Sequence, residues 1–360
     1  MTHSAIRRTS PGTPLAPRTT LRLGGPAARL VEARTEDEVI TAVAAADAAG
    51  EELLVLAGGS NVVVADAGFP GVVVAIASKG IARTEGKLMV QAGEDWDAFV
   101  AQAVAEGLAG IECLSGIPGS VGATPIQNVG AYGQDVAETV DWVCAYDRRL
   151  REVVALDRAA CGFSYRSSAF KREPGRWVVL AVSFALESSA DSRPVRYAEL
   201  ARALGISVGA RAPLADVRAA VLALRRAKGM VIDPADPDSV SAGSFFTNPI
   251  LTPGELSVLE RRVAERLGAD ARLPRYPEED GRVKTSAAWL IEHAGFARGH
   301  GDPATVAISA KHTLALTNRG AGTTAQLVAL AREIVAGVEE AFGVSLVTEP
   351  VFVGHTWSAR

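Results

Sequence analysis

The chain has 360 residues, 48% hydrophobic and 22% charged, with a formal net charge of −4, which describes a soluble globular protein too long for one hydrophobic core. That charge gives no broad attraction for nucleic acid or anionic lipid, and no apolar run exceeds Val72 to Ala77, far short of the ~20 residues that span a bilayer. Cys113, Cys144 and Cys161 match neither a zinc spacing nor a disulfide framework and read as reduced thiols of a cytoplasmic protein.

Residues 1–18 hold Arg7, Arg8 and Arg18 with no apolar stretch behind them, which predicts a flexible tail rather than a signal peptide. Thr35-Glu36-Asp37-Glu38 predicts a capping box in which Glu38 reaches back to the Thr35 amide, and Gly50 ends the helix. A strand over Leu53 to Ala57, the turn Gly58-Gly59-Ser60-Asn61, the run Val62-Val63-Val64 and β-branched Val72 to Ile76 follow. Lys87 to Ala92 predicts a strand. Asp95 to Glu106 predicts a helix with Trp96, Phe99, Val100, Ala103 and Val104 on one face.

Ser115 to Gly133 contains no Asp, Glu, Lys, Arg or His. Its glycines and prolines fix turns and leave backbone N–H groups free to face a ligand, and successive amides of that kind form an anion-binding concavity. Gln127, Asn128 and Tyr132 are its sizeable polar groups. Strands are predicted at Val140 to Tyr146, Arg151 to Leu156 and Trp177 to Leu186, so the chain reads as α+β rather than a regular parallel wind. Pro213 to Lys228 has helical spacing, and Asp233-Pro234-Ala235-Asp236-Pro237-Asp238 reads as a linker. Beyond it come helices opened by Thr252 with Glu255, over Ala287 to Ala294, and over Thr323 to Phe342 with Gln326 completing a box; strands are predicted at Leu314 to Thr317 and Leu346 to Val353.

There is no Gly-x-Ser-x-Gly elbow, no Walker phosphate loop and no Gly-x-Gly-x-x-Gly between a strand and a helix. The five histidines form none of the close pairs that metal sites use. Two separate amide-rich turns, Gly58 to Asn61 and Ser115 to Gly133, suit a ligand with a pyrophosphate, such as a dinucleotide. Ser244, between Gly243 and Phe245-Phe246, either places a hydroxyl in a dry pocket or caps a turn while the two rings pack in a core. Arg166 in Tyr165-Arg166-Ser167-Ser168 is either a ligand contact or a surface charge.

These blocks, with Ser241 to Pro249 and Glu349 to Gly354, resemble in order the UDP-N-acetylenolpyruvoylglucosamine reductase family, flavoenzymes of peptidoglycan precursor synthesis, from about Thr19 to Gly354. The resemblance implies an FAD domain of the vanillyl-alcohol-oxidase type in two lobes, residues 19–80 and 81–229 with 345–360 returning to the second, and a separate α+β substrate-binding domain at 230–344. It implies that FAD is held by Gly58, Gly59, Ser60, Asn61, Ser115, Gly116, Ile117, Pro118, Gly119, Gly122, Ala123, Gln127, Asn128 and Gly130. It also implies that NADPH reduces FAD, and that hydride then passes to UDP-N-acetylglucosamine enolpyruvate, giving UDP-N-acetylmuramate. Ser244 matches the family's proton donor to C2, and Arg166 and Glu349 the pair that engages the enolpyruvyl carboxylate. Tyr132, Lys228, Asn248 and Lys284 match substrate-binding positions, Tyr197 resembles a tyrosine that closes over the uridine diphosphate, and His312 falls where a substrate contact is common. The family pattern departs at Thr19-Thr20-Leu21, where Asn-Thr-Phe is usual, and at Thr247, where Lys is common. A flavin oxidase or a non-catalytic nucleotide-sugar sensor would not need Ser244, Arg166 and Glu349 together. No metal is expected, and a monomer is favoured.

Overall fold

The computed structural model describes residues 7, 8, 12–355 and 357, and these divide into two compact units. Of the described residues, unit 1 takes those up to Thr13, then Pro26–Gly59 and Phe69–Ala227; unit 2 takes Pro14–Gly25, Ser60–Gly68 and everything from Lys228. Residues 1–6 and 9–11 of the expected tail lie outside the described part. Leu15 is fully buried and Ala16–Arg18 forms a short 3-10 turn.

Among the described residues unit 1 holds two larger sheets and two short strand pairs. In the first, Pro26–Ala33, Phe69–Ile76 and Leu53–Leu56 run parallel. Helix Glu36–Ala48 buries Val39, Ala42, Val43 and Ala46, which share a core with Val31, Val72 and Val74. Its N-cap works as half of the predicted box. Thr35 accepts from the Glu38 amide, whereas the Glu38 carboxylate takes the Arg34 amide at 2.7 Å, one residue upstream of the expected target. The second sheet is antiparallel in the order Glu152–Asp157, Val140–Asp147, Trp177–Phe184, Lys87–Gln91, Ile81–Thr84. Its central strand Trp177–Phe184 is buried along nearly its whole length because both faces are covered: Val178 and Leu180 enter the core of the first sheet, while Val182 and Phe184 pack with Trp96 and Phe99 of helix Trp96–Ala105. That is why the strand reads as a hydrophobic run rather than an alternation.

Unit 2 is built from separated pieces of chain. Strands Ser241–Ser244, Ala315–Asn318 and Val306–Ile308 pair antiparallel, and Val351–Val353 runs parallel to Val62–Val64. Helix Thr324–Phe342 lies on a core that includes Leu21, Leu23 and Val63. The segment Asp233–Asp238, read from sequence as a linker, is folded instead: Asp238 is buried, accepts from the Ala310 amide and pairs with Arg319 at 2.8 Å, and Asp236 holds Lys311 at 2.8 Å. Of the predicted strand Leu346 to Val353 only Val351–Val353 forms. The residues before it bridge to Phe245 and its neighbours.

Candidate active site

The uncharged stretch of unit 1 starts from a 3-10 turn, Glu112–Leu114. At its head the Gly116 amide donates to Asp97 at 2.6 Å, and Arg218 grips the same carboxylate through two bonds of 2.6 and 3.0 Å. Burial pushes the Asp97 carboxyl up, but the bonds from Arg218 and the Gly116 amide outweigh it and hold it below the usual carboxylate range. Gly119 has φ +122°, a backbone that side chains rarely adopt. A Cβ on Gly58 would stand 2.5 Å from the Gly119 Cα, so the two glycine turns meet backbone to backbone with no room for a side chain between them.

Ser120 stands at this meeting point. It occupies the N-cap of the turn Val121–Ala123 without making the capping bond, and its hydroxyl oxygen is buried with no hydrogen-bond partner among the described residues. Buried hydroxyls are ordinarily satisfied. Glycine turns in contact, an uncharged lining and an unsatisfied buried hydroxyl fit a dinucleotide cofactor held by backbone amides and small donors. Other polar groups of the stretch are committed to the scaffold. Ser115 is fully buried and donates to the Glu112 carbonyl at 2.6 Å. Asn128 donates to the Ser164 carbonyl at 3.2 Å and accepts from the Ala137 amide at 3.1 Å. Gln127 accepts from Lys171 at 3.5 Å.

Asn128, Tyr132 and Arg166 have φ of +47°, +49° and +51°, left-handed backbone that costs on the order of 1 kcal/mol or more for residues other than glycine. Arg166 sits in a tight turn closed by mutual bonds between Ser164 and Ser167, and its Nη2 donates to the Gly130 carbonyl at 3.0 Å. That brings it to the same hairpin as Tyr132. Tyr132 meets Tyr197 edge to face with ring centroids 5.5 Å apart, and burial pushes its phenol up to about 12, so it remains a neutral donor at working pH.

In unit 2 the hub is Phe245, buried with Phe246 in the core. Its amide donates to the Leu314 carbonyl at 2.7 Å and its carbonyl accepts from the Glu349 amide at 2.9 Å. Ser244 pairs with Ala315, whose amide donates to the His312 carbonyl at 3.0 Å. One corner of unit 2 therefore holds Ser244, Glu349 and His312. Asn61 joins it, donating to the Glu349 carbonyl at 3.3 Å and accepting from the Val351 amide at 2.9 Å. Thr20 donates to the Ser60 carbonyl at 3.5 Å. A second corner carries Asn248 and Lys284: the Asn248 Oδ1 accepts from the Ala287 amide at 3.0 Å, Lys284 pairs with Ile250 on the backbone, and its ammonium meets Glu278 at 2.6 Å. Lys228 precedes Gly229 at the start of this part of unit 2.

Two residues passed unnoticed in the sequence. Ser120 offered only a hydroxyl among glycines. Arg225 offered a sharper signal: it lies four residues after Val221 on the apolar stripe of helix Leu214–Ala227, where a charge is out of place. It is buried, and burial pushes its guanidinium down to about 10, partly countered by Tyr132 and Asp97. Burial likewise pushes the thiols of Cys144 and Cys161 up, to about 11 and about 12, which leaves them unreactive. No helix among the described residues is long and apolar enough to cross a membrane.

Residues 27–149 match the family described as FAD binding domain, and residues 234–353 match the C-terminal domain of UDP-N-acetylenolpyruvoylglucosamine reductase. A protein named UDP-N-acetylenolpyruvoylglucosamine reductase from Thermobifida fusca is 59% identical over 348 residues, covering 95% of this chain and 97% of the relative. One of the same name from Streptomyces avermitilis is 60% identical over 343 residues, covering 95% and 94%. Among solved structures, the UDP-N-acetylenolpyruvylglucosamine reductase of Thermus caldophilus aligns with a TM-score of 0.63 at 23% identity over 97% of this chain and 98% of that one, a likeness of fold.

Proposed function

This chain belongs to the UDP-N-acetylenolpyruvoylglucosamine reductase family of FAD-binding reductases, and on that premise we propose that it reduces UDP-N-acetylglucosamine enolpyruvate to UDP-N-acetylmuramate with NADPH, in the cytoplasm. The observation that carries the reading is the corner in which the Phe245 backbone, bonded to the Glu349 amide, joins the segment of Ser244 to that of Glu349, because reductive protonation calls for a hydroxyl-bearing and a carboxylate-bearing residue in one place.

Bound FAD supplies the redox chemistry, with hydride in from NADPH and hydride out to the enolpyruvyl methylene. The Gly58 and Ser115–Gly130 turns would hold the cofactor, with the Ser120 hydroxyl among the donors, and Ser60 and Asn61, the next residues of the Gly58-Gly59 turn in sequence, would contribute to it. Residues 230–344 carry the sugar nucleotide, through Lys228 at their edge, Asn248 and Lys284, with Tyr132, Tyr197 and His312 as further contacts. Hydride addition at the methylene leaves electron density at C2 next to a carboxylate. That centre is basic enough to take the Ser244 Oγ proton when the hydroxyl is well placed, and solvent then restores the proton to Ser244. Negative charge on the carboxylate grows along this step, so Arg166 binds the transition state more tightly than the ground state. Glu349 engages the same carboxylate, a pairing that requires it to be protonated or to share a proton.

The test is a flavin spectrum of the purified protein and NADPH oxidation with and without UDP-N-acetylglucosamine enolpyruvate. A colourless protein, or oxidation indifferent to that substrate, sinks the reading. Ser244→Ala is expected to keep FAD and its reduction by NADPH while losing reoxidation by substrate. If both half-reactions survive, Ser244 is not the acid.

A further inference from the structure

Glu112 is a fully buried carboxylate that plays no part in the chemistry proposed above. Its Oε2 accepts from the Gly110 amide at 2.6 Å, and its Oε1 accepts from the Gln134 side chain at 2.9 Å and from the Arg193 amide at 3.0 Å. Gln134, itself buried, returns its own Oε1 to the Cys113 amide at 2.9 Å. Three donors from three places in the chain thus converge on one carboxylate in the interior of unit 1. Such a group strongly constrains whatever it holds, since leaving its donors unpaired in a dry interior is costly.

What it holds leads to the two tyrosines. Gln134 is one residue past Gly133 in the hairpin Gly130–Ala131 to Gln134–Asp135, which carries Tyr132 at its tip. Arg193 opens the segment that ends at Tyr197, the N-cap of helix Ala198–Leu204. A second layer of contacts joins the same two segments at the surface: Arg196 pairs with Glu138 at 2.9 Å and its Nη1 donates to the Gly133 carbonyl at 3.4 Å. Those groups are exposed or half-exposed, and such pairs are worth little in water. Glu112 is the buried member, and it bonds both segments directly.

We propose that Glu112 is a positioning residue that locks the Tyr132 hairpin and the Tyr197 segment in one register, so that the two rings are already edge to face before the sugar nucleotide arrives. This rests on the reading of Tyr132 and Tyr197 as substrate contacts. Pre-ordering of that kind lowers the cost of binding rather than the barrier of the chemical step. Its loss therefore appears in KM. A carboxylate suits the task because an amide in its place would turn one acceptor into a donor, facing the Gly110 amide or the Gln134 and Arg193 donors.

The experiment compares wild type, Glu112→Gln and Gln134→Ala as FAD-loaded full-length proteins. Amide hydrogen exchange in Glu112→Gln is expected to rise together in residues 130–135 and 193–197, and in Gln134→Ala only in 130–135. In steady state Glu112→Gln is expected to raise KM for UDP-N-acetylglucosamine enolpyruvate by about tenfold or more with kcat within about threefold of wild type. Exchange confined to residues 110–113, or a KM unchanged in the flavin-loaded variant, overturns the proposal. So does a fall in kcat alone. Wild-type protein without turnover on that substrate sinks the reaction proposed above instead, and the exchange pattern still decides whether Glu112 couples the two segments.

Discussion

Ser120 isolates at the scale of one residue the question of what the glycine turns hold. Its hydroxyl is buried, sits at an N-cap without capping, and finds no partner among the described residues. An unsatisfied buried hydroxyl costs about 1–3 kcal/mol. On the proposed reading, in which these turns hold FAD, the same hydroxyl would meet a polar group of the cofactor. Ser120→Ala is therefore expected to act with opposite signs: the FAD-free protein melts higher, while the FAD dissociation constant rises by roughly tenfold, the equivalent of about 1.4 kcal/mol. Thermal melting of the stripped protein and fluorescence titration with FAD measure the two. If stability and affinity fall together, the hydroxyl belongs to the scaffold. Ser115 and Asn128 give the contrast within the same stretch, since both already spend their side chains on backbone groups.

Elements whose cause is local were legible in the sequence, and those whose cause lies far along the chain were not. Thr252 with Glu255 and Thr323 with Gln326 form full capping boxes as predicted, because both partners lie within one turn. A further box, Asp135 with Glu138, escaped notice because the turn it opens, Val136–Glu138, is too short to show periodicity. Asp233–Asp238 was misread because the groups that hold it, Lys311, Arg319 and the Ala310 amide, lie beyond any local window. The same divide marks the site: the glycine stretch stood out in one line of sequence, whereas the link from Ser244 to Glu349 through Phe245 spans a hundred residues of chain. Asp147 shows how such distant ties set the stability of an element. At the end of strand Val140–Asp147 its enclosed carboxylate accepts from Arg176 at 2.6 and 3.0 Å and from the Arg149 amide at 2.9 Å. The bonds from Arg176 hold it below its usual 3.8. A depressed carboxyl stabilises the fold above its unfolded value and loses that contribution as pH falls through the folded one. Urea midpoints of wild type are therefore expected to drop as pH falls below about 4, and Asp147→Asn should be less stable at pH 7 with a shallower acid limb. An acid limb identical in the two proteins would remove Asp147 from that account.

At the scale of the whole molecule, unit 2 is not one stretch of chain, although the family match at residues 234–353 is continuous. Its core takes Leu21, Leu23 and Val63 from the two short N-terminal segments. Strand Val351–Val353 has Val62–Val64 as its parallel partner. The long helix Thr324–Phe342 starts on Asp66, which accepts from the Thr324 and Ala325 amides at 2.8 Å each, and Thr324 donates to the Val64 carbonyl at 2.7 Å. Asn318 also donates to the Leu21 carbonyl at 3.1 Å. Burying a large aliphatic side chain contributes about 1.5–3 kcal/mol, so the three missing side chains alone remove about 5–9 kcal/mol. That is comparable to the whole stability of an ordinary domain, about 5–15 kcal/mol, before the unpaired strand and the loss of the Asp66 and Val64 contacts at the helix start are counted. Residues 228–360 expressed alone are therefore expected to keep helical far-ultraviolet dichroism but to lack a cooperative melt and a near-ultraviolet signal, while the full chain has both. A sharp thermal transition in the fragment would mean that the N-terminal segments decorate this core rather than complete it.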